Sequence, residues 1–241
     1  MGHILVTGSS RGIGSAALEL LAARGCSVIG HASRPVPPDA GMPMIIAADF
    51  GDPLAVQGLW EAALDHAGGE IDAVVNNAGR FEANRLDRSD LEWLDAWEDT
   101  LRVNLSSAAQ LSRLAVRHWQ ERGCGGRLVH VASRAAYRGD SPAHWHYAAA
   151  KGGMIAMHKT IARAYAKDEI LSFAVTPGFT DTSMAGDYLA SRGGPDLLRD
   201  IPLGRVATPD EIAAIIAFCA LDAPPSMTGA VIDANGASFV R

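Results

Sequence analysis

The 241 residues predict a single α/β domain: a doubly wound parallel sheet of about seven strands with helices on both faces. Three observations predict it. Short β-branched runs alternate with longer segments of helical period, the pattern of a parallel sheet joined by helical crossovers. The short runs are continuously apolar rather than alternating, as strands covered on both faces should be. The first of them opens directly into a glycine-rich turn and a helix.

Each element follows in chain order. Residues 3–7 (HILVT) form a buried strand, and a helix runs from about Gly12 to Arg24, ending at Gly25. Residues 26–31 make a second strand, followed by a loop carrying Pro35, Pro37 and Pro38. Residues 44–49 (MIIAAD) are a third strand, and Pro53 stands in the first turn of the next helix, where its missing N–H costs nothing. A fourth strand covers 71–79, and a long helical region spans 89–122 with one break near Trp97. Strands at 127–133, 170–176 and 230–235 complete the sheet, with helices at 146–167 and 209–221 between them. The least regular long stretch, 181–203, reads as a mobile lid of small and apolar residues. No internal repeat or linker divides the chain.

Composition narrows the function. Hydrophobic residues make up 48% and charged residues 20%, so the chain can build a core. A formal net charge of −6 argues against a general nucleic-acid or anionic-membrane binder. Of 21 Lys+Arg only Lys151, Lys159 and Lys167 are lysines. Cys26, Cys124 and Cys219 form no CxxC pair and read as small buried hydrophobes in a reduced, cytoplasmic protein. No apolar run reaches the length of a membrane span, and no cluster has metal-ligand spacing, so no metal is expected.

The first turn reads Thr7-Gly8-Ser9-Ser10-Arg11-Gly12-Ile13-Gly14, a GxxxGxG spacing. Glycines let the backbone turn sharply and approach a diphosphate, whose charge is met by amides at a helix N-terminus. A carboxylate at the end of the second strand would accept ribose hydroxyls and repel a 2′-phosphate. Here that stretch is His31-Ala32-Ser33-Arg34, with no carboxylate. Ser33, Arg34 and Arg11 can clasp a phosphate, which favours NADPH over NAD; as merely solvated charges they would leave the choice open. Asp49, with Phe50 beside it, suits the adenine end, or else caps the following helix.

Tyr147 and Lys151 stand at i and i+4, on one helix face. A nearby ammonium favours phenolate, so the tyrosine's pKa is expected to fall from ~10 toward the working range. Such a group can protonate a carbonyl oxygen as hydride arrives, or deprotonate an alcohol in reverse.

With these residues in hand, the chain resembles the short-chain dehydrogenase/reductases over its whole length, a family of Rossmann-type domains. TGSSRGIG, Asn76-Asn77-Ala78-Gly79, Asn104, Ser133, the Tyr147/Lys151 pair and Pro177-Gly178 stand in the family's order. Its look is that of the 3-oxoacyl-(acyl-carrier-protein) reductase type. The resemblance implies that Ser133 binds the substrate carbonyl and that Tyr147 is the general acid. It implies that Lys151 lowers the tyrosine's pKa and binds the nicotinamide ribose, and that Asn104 holds a relay water. Asn76, Ala78 and Gly79 would pass beside the adenosine, and Pro177, Gly178, Thr180 and Thr182 would hold the nicotinamide and diphosphate. His144, Trp145 and His146 would line the substrate mouth or face solvent, and the family is usually a homotetramer.

Four departures from the family's pattern stand out; the first three leave the chemistry intact, and only the fourth bears on the substrate. The Ser133–Tyr147 separation is 14, one longer than is common; Phe173 and Asn235-Gly236-Ala237 replace more usual residues. Cys124 and Asp168 fall where carrier-protein reductases tend to have arginines, although Arg122 and Lys167 lie close by. An acidic chain with a weakened basic rim is a poor partner for an acidic carrier protein. The expected reaction is therefore NADPH-dependent reduction of a ketone, 3-oxoacyl or related. The alternatives are an NAD-dependent alcohol dehydrogenase of the same fold and a non-catalytic dinucleotide-binding regulator.

Overall fold

The computed structural model describes residues 2–37, 43–181 and 198–241. Seven parallel strands lie in the order β3-β2-β1-β4-β5-β6-β7. They are β1 (His3–Val6), β2 (Ser27–Ala32), β3 (Ile45–Ala47), β4 (Ala73–Asn76), β5 (Gly126–Val131), β6 (Ile170–Pro177) and β7 (Val231–Ala234). The order reverses between β1 and β4, which pair through Val6 and Val75. In an open α/β sheet the crevice beyond such a reversal is the ligand site.

Alternation along each strand sends side chains into two layers. Ile4, Val6, Val75, Val129, Val131 and Phe173 pack with α1 (Gly12–Ala23) and with the helix Pro209–Ala217, named α7 below. Leu5, Ile29, Val74 and Leu128 pack on the other face, with α2 (Ala55–His66) and α4 (Ser107–Arg122). A third cluster joins Met154 and Ile155 of α6 (Trp145–Tyr165) to Ala174. The short α5 (Ala135–Arg138) precedes α6.

Helix ends carry their own signals. α3 (Asp90–Leu101) and α7 both start with a capping box, Ser89 with Glu92 and Thr208 with Glu211. α1 differs: Arg11 at its N-cap makes no side-chain cap and its first turn has no acidic residue.

The break expected near Trp97 does not occur there. α3 runs on to Leu101, and Arg102–Ser106 continues it with π-helical pitch into α4. Neither proline nor glycine interrupts the run; a widened turn does. The final helix likewise ends as a π turn at Phe218–Asp222. Of the cysteines, Cys219 is buried, Cys26 half-buried and Cys124 exposed, so the expected buried hydrophobe fails at Cys124.

Gly126 opens β5 because no side chain fits there. A Cβ on it would lie 2.1 Å from the ring of Trp119. Trp119 is fully buried, and its Nε1 donates to the Ile71 carbonyl at 2.6 Å. Gly126→Ala is expected to cost about 3 kcal/mol, since overpacking a tight core typically costs a few kcal/mol. Urea unfolding measures it, and a loss under about 1 kcal/mol would show that the indole has room to move.

Candidate active site

The crevice between β1 and β4 is framed by the glycine turn. Gly8 and Gly12 have φ of +66° and +58°, a region that side chains rarely adopt. A Cβ on Gly8 would meet the backbone of Ala78 at 2.7 Å, and one on Gly14 would meet the Gly8 carbonyl at 2.1 Å. These close approaches force the glycines and bring residues 8–14 against 77–79. The first-turn amides of α1, with no side-chain cap and no acidic residue in that turn, suit a diphosphate on both hydrogen bonding and dipole. A dinucleotide therefore fits this turn.

Residues outside the expected set hold it in place. Thr7 Oγ1 accepts from the amides of Asn77 and Ala78, both at 3.0 Å. Asn77 Nδ2 donates to the carbonyls of Thr7 and Gly8 at 2.9 and 3.0 Å. Sequence reasoning chose Asn76 instead. Asn76 is buried, and its Nδ2 donates to Ser112 Oγ at 3.0 Å and lies 3.3 Å from His130 Nδ1, inside the core. Period two was the available signal: in a strand running through Val75, neighbouring asparagines must face opposite ways.

Toward the adenosine side, Ser10, Arg11, Ser33, Arg34 and Asp49 are all exposed, and Ile13 is half-buried against the α1 layer. Asp49 Oδ1 accepts from the Gly51 amide at 2.9 Å, closing a turn rather than capping α2. Phe50 is buried and stacked on His31 at 4.2 Å, so its ring belongs to the core side of this region.

At the other end stands the expected quartet. Ser133, two residues past β5, lies close enough to Tyr147 to favour its phenolate, and its Oγ accepts from the Ala135 amide at 3.1 Å. Lys151 Nζ donates to the Val131 carbonyl at 2.7 Å and sits 5.8 Å from the Tyr147 ring centroid. Asn104, in the π turn, receives the Arg80 amide on Oδ1 at 2.8 Å and donates Nδ2 to the Arg80 carbonyl at 2.9 Å. A Cβ on Gly79 would lie 3.3 Å from Asn104 Oδ1 and 3.6 Å from Lys151 Nζ. Gly79 is thus the point where Asn104 and Lys151 converge.

One expectation reverses. Burial pushes the Tyr147 phenol up to about 12, outweighing the lowering influence of the nearby Ser133 hydroxyl; the Asp140 carboxylate adds to the rise. Burial also lowers Lys151 to about 8. The ammonium is turned to the Val131 carbonyl, and desolvating a phenolate costs more than its nearness returns.

Pro177 ends β6 and Gly178 abuts the Asn235 backbone, where a Cβ would come within 2.9 Å. Thr180 is buried, in a β-bridge to Ala207. Thr182 and most of the expected lid, residues 182–197, lie outside the described residues. The three residues before Tyr147 divide. His144 and His146 are buried, and His144 is stacked on Phe81 at 4.0 Å. Trp145 is 53% exposed and meets Trp93 edge-on. Phe81, missed in the sequence, also stands edge-on to Tyr147 at 4.8 Å.

Comparison with known proteins agrees with this geometry. A family model described as enoyl-(acyl carrier protein) reductase matches residues 8–236. The chain is similar to the 3-oxoacyl-[acyl-carrier-protein] reductase of Salmonella typhimurium, 35% identical over 246 residues, covering 98% of this chain and 96% of that protein. The Vibrio cholerae reductase of the same description is 34% identical over 242 residues, with coverage of 98% and 96%. A short-chain type dehydrogenase/reductase of Sinorhizobium fredii is 32% identical over 248 residues, covering 97% and 94%.

Proposed function

The chain belongs to the short-chain dehydrogenase/reductase family and is an NAD(P)-dependent oxidoreductase acting on CH–OH/C=O groups, and on that premise we propose that it reduces a 3-oxoacyl or related ketone to a secondary alcohol, using NADPH. The observation that carries the reading is the convergence of Asn104 Oδ1 and Lys151 Nζ at Gly79, with the Lys151 ammonium beside the Tyr147 ring.

The reduced nicotinamide supplies the hydride when bound. Ser133 Oγ and Tyr147 Oη donate to the substrate carbonyl oxygen and stabilise the charge that develops there. With a pKa near 12 the phenol holds its proton at neutral pH, as an acid must before it acts. Tyr147 gives that proton to the nascent alkoxide. Lys151, still mostly protonated at pH 7, stabilises the phenolate left behind and has N–H bonds to spare for a ribose hydroxyl. Asn104 anchors the Arg80 backbone beside it, and its Oδ1 retains a lone pair for a relay water. A protonated phenol is the form from which the reductive direction starts.

Cofactor choice rests on the end of β2. Ser33 and Arg34 are exposed there, Arg11 is exposed in the glycine turn, and residues 31–34 hold no carboxylate. Substrate choice rests on charge. Arg122 is committed to Glu70 at 2.5 Å and to the Gly69 carbonyl, and Asp168 accepts from Gln120. These two positions, before β5 and β6, offer little positive charge to an acidic carrier protein, which favours a small-molecule carbonyl substrate. α4 and α6 serve as interfaces of a homotetramer.

A panel of ketones and 3-oxoacyl thioesters, followed at the nicotinamide absorbance, tests the reading. Turnover is expected with NADPH bound at least about tenfold more tightly than NADH, as a phosphate–arginine contact provides. Arg34→Ala should narrow that ratio. Tighter NADH binding would overturn the cofactor assignment, and no turnover on any ketone would overturn the reaction.

A further inference from the structure

We propose that His31 is a positioning residue for dinucleotide binding, a neutral imidazole that ties the glycine turn to the strand end beside the adenosine. The proposal rests on reading residues 8–14 as the dinucleotide turn. His31 lies on β2, 2% exposed, and its ring spans two strand ends. Nδ1 accepts from the Gly8 amide at 3.1 Å. Nε2 lies 2.8 Å from the Ala48 carbonyl, just before Asp49. A carbonyl can only accept, so Nε2 carries the hydrogen and Nδ1 is left bare for Gly8. One tautomer of the neutral ring satisfies both contacts, and the imidazolium satisfies only one.

The surroundings keep it neutral and fixed. Burial lowers its pKa below the usual histidine value, with the Ala48 carbonyl and the Asp49 carboxylate opposing. One face of the ring stacks on Phe50 with 12° between the planes. The backbone of the same residue grips the turn again. The Ser9 amide donates to the His31 carbonyl at 2.8 Å, and the His31 amide donates to Ser9 Oγ at 2.9 Å. A Cβ on neighbouring Gly30 would strike Ser9 Oγ at 2.5 Å, so the contact depends on a close approach of the two chains.

The Gly8 amide is the one that a left-handed residue aims, and its direction sets where the following amides point. Losing its acceptor leaves a half-buried N–H to find another partner, and the turn moves with it. His31 touches no reacting atom, so its effect belongs to binding and not to the chemical step.

The test uses three variants of the full chain. In His31→Asn the side-chain oxygen stands near the Nδ1 position; His31→Gln reaches only toward Ala48; His31→Leu keeps neither contact. Fluorescence titration with NADPH reads binding, thermal unfolding without cofactor reads folding, and steady-state kinetics separate KM from kcat. His31→Leu is expected to raise the NADPH Kd and KM about tenfold with kcat within about twofold, the scale of one hydrogen bond. His31→Asn should stay within about threefold of wild type, with His31→Gln as weak as His31→Leu. Should the leucine variant fail to fold, the Asn–Gln contrast still decides. Equal binding by Asn and Gln, or wild-type binding by a folded His31→Leu, would overturn the proposal alone. A wild-type chain that binds neither NADPH nor NADH would instead overturn the reading of the turn.

Discussion

Tyr147→Phe is expected to lower kcat by about a thousandfold while leaving the NADPH Kd within about threefold of wild type. General-acid catalysis by a placed side chain is typically worth 10²- to 10⁴-fold. The substitution removes one oxygen and keeps the ring. Edge-on packing against Phe81 survives, and so does the aromatic face near Lys151. What disappears is the phenolic proton donor close to Ser133, just past β5. Stopped-flow transfer from NADPH and equilibrium titration measure the two quantities separately. A variant that still turns over within tenfold of wild type would remove Tyr147 from the acid role, whatever its affinity for cofactor.

Acid should begin to destabilise this protein above the carboxylate range. His130 is fully buried, and burial together with the nearby charges of His158 and Lys151 lowers its pKa to about 3. Asn76 Nδ2 faces its Nδ1, which leaves the proton on Nε2, buried without a partner among the described residues. In the unfolded chain the same imidazole titrates near 6.5. Above pH 6.5 both states are neutral and the group contributes nothing to pH dependence. Below it the unfolded state takes up a proton that the folded state refuses, so stability falls as pH falls, until the folded pKa is reached. That difference amounts to about 5 kcal/mol at pH 3, comparable with the whole stability of many domains. His31, His146 and His158 are also lowered by burial and act in the same direction. Urea unfolding at intervals between pH 7 and 4 should show a steady loss, and His130→Leu should flatten it. A flat profile in the wild type over that range would show that the buried imidazoles find solvent or partners.

The alternation of strands and helices was legible because each layer leaves its own period in the residues. Leu5, Val74 and Leu128 pack on one face while Ile4, Val75 and Val129 pack on the other, and a run apolar at every position announces such a strand. Tyr147 and Lys151 were legible because an i, i+4 pair is fixed by helix geometry alone. Asn104, Ser133 and the glycines were legible from the order of motifs. What did not show was anything decided by distance across the fold. Thr7, Asn77 and His31 hold the turn through partners 17 to 71 residues away, a separation with no local signature. The sign of the Tyr147 shift failed for a related reason. Sequence spacing reveals that an ammonium is near but says nothing of how much water the phenol has lost. Phe81 was missed because a single aromatic after a strand carries no pattern.

The wide turn at Arg102–Ser106 makes the length of that segment a setting of angle. A regular helix advances about 100° per residue, so the π pitch introduces a step in phase between α3 and α4. Upstream of the step, Trp93 and Trp97 stack on the side toward Trp145. Within it, Asn104 looks at the Arg80 backbone. Downstream, Leu111, Ala115 and Trp119 look at the sheet. Removing one residue there would return the rod to a single clock, and these three faces could no longer all be on time. Asn104 and the core of the second layer are therefore tuned by the same five residues, and neither can be re-aimed without the other.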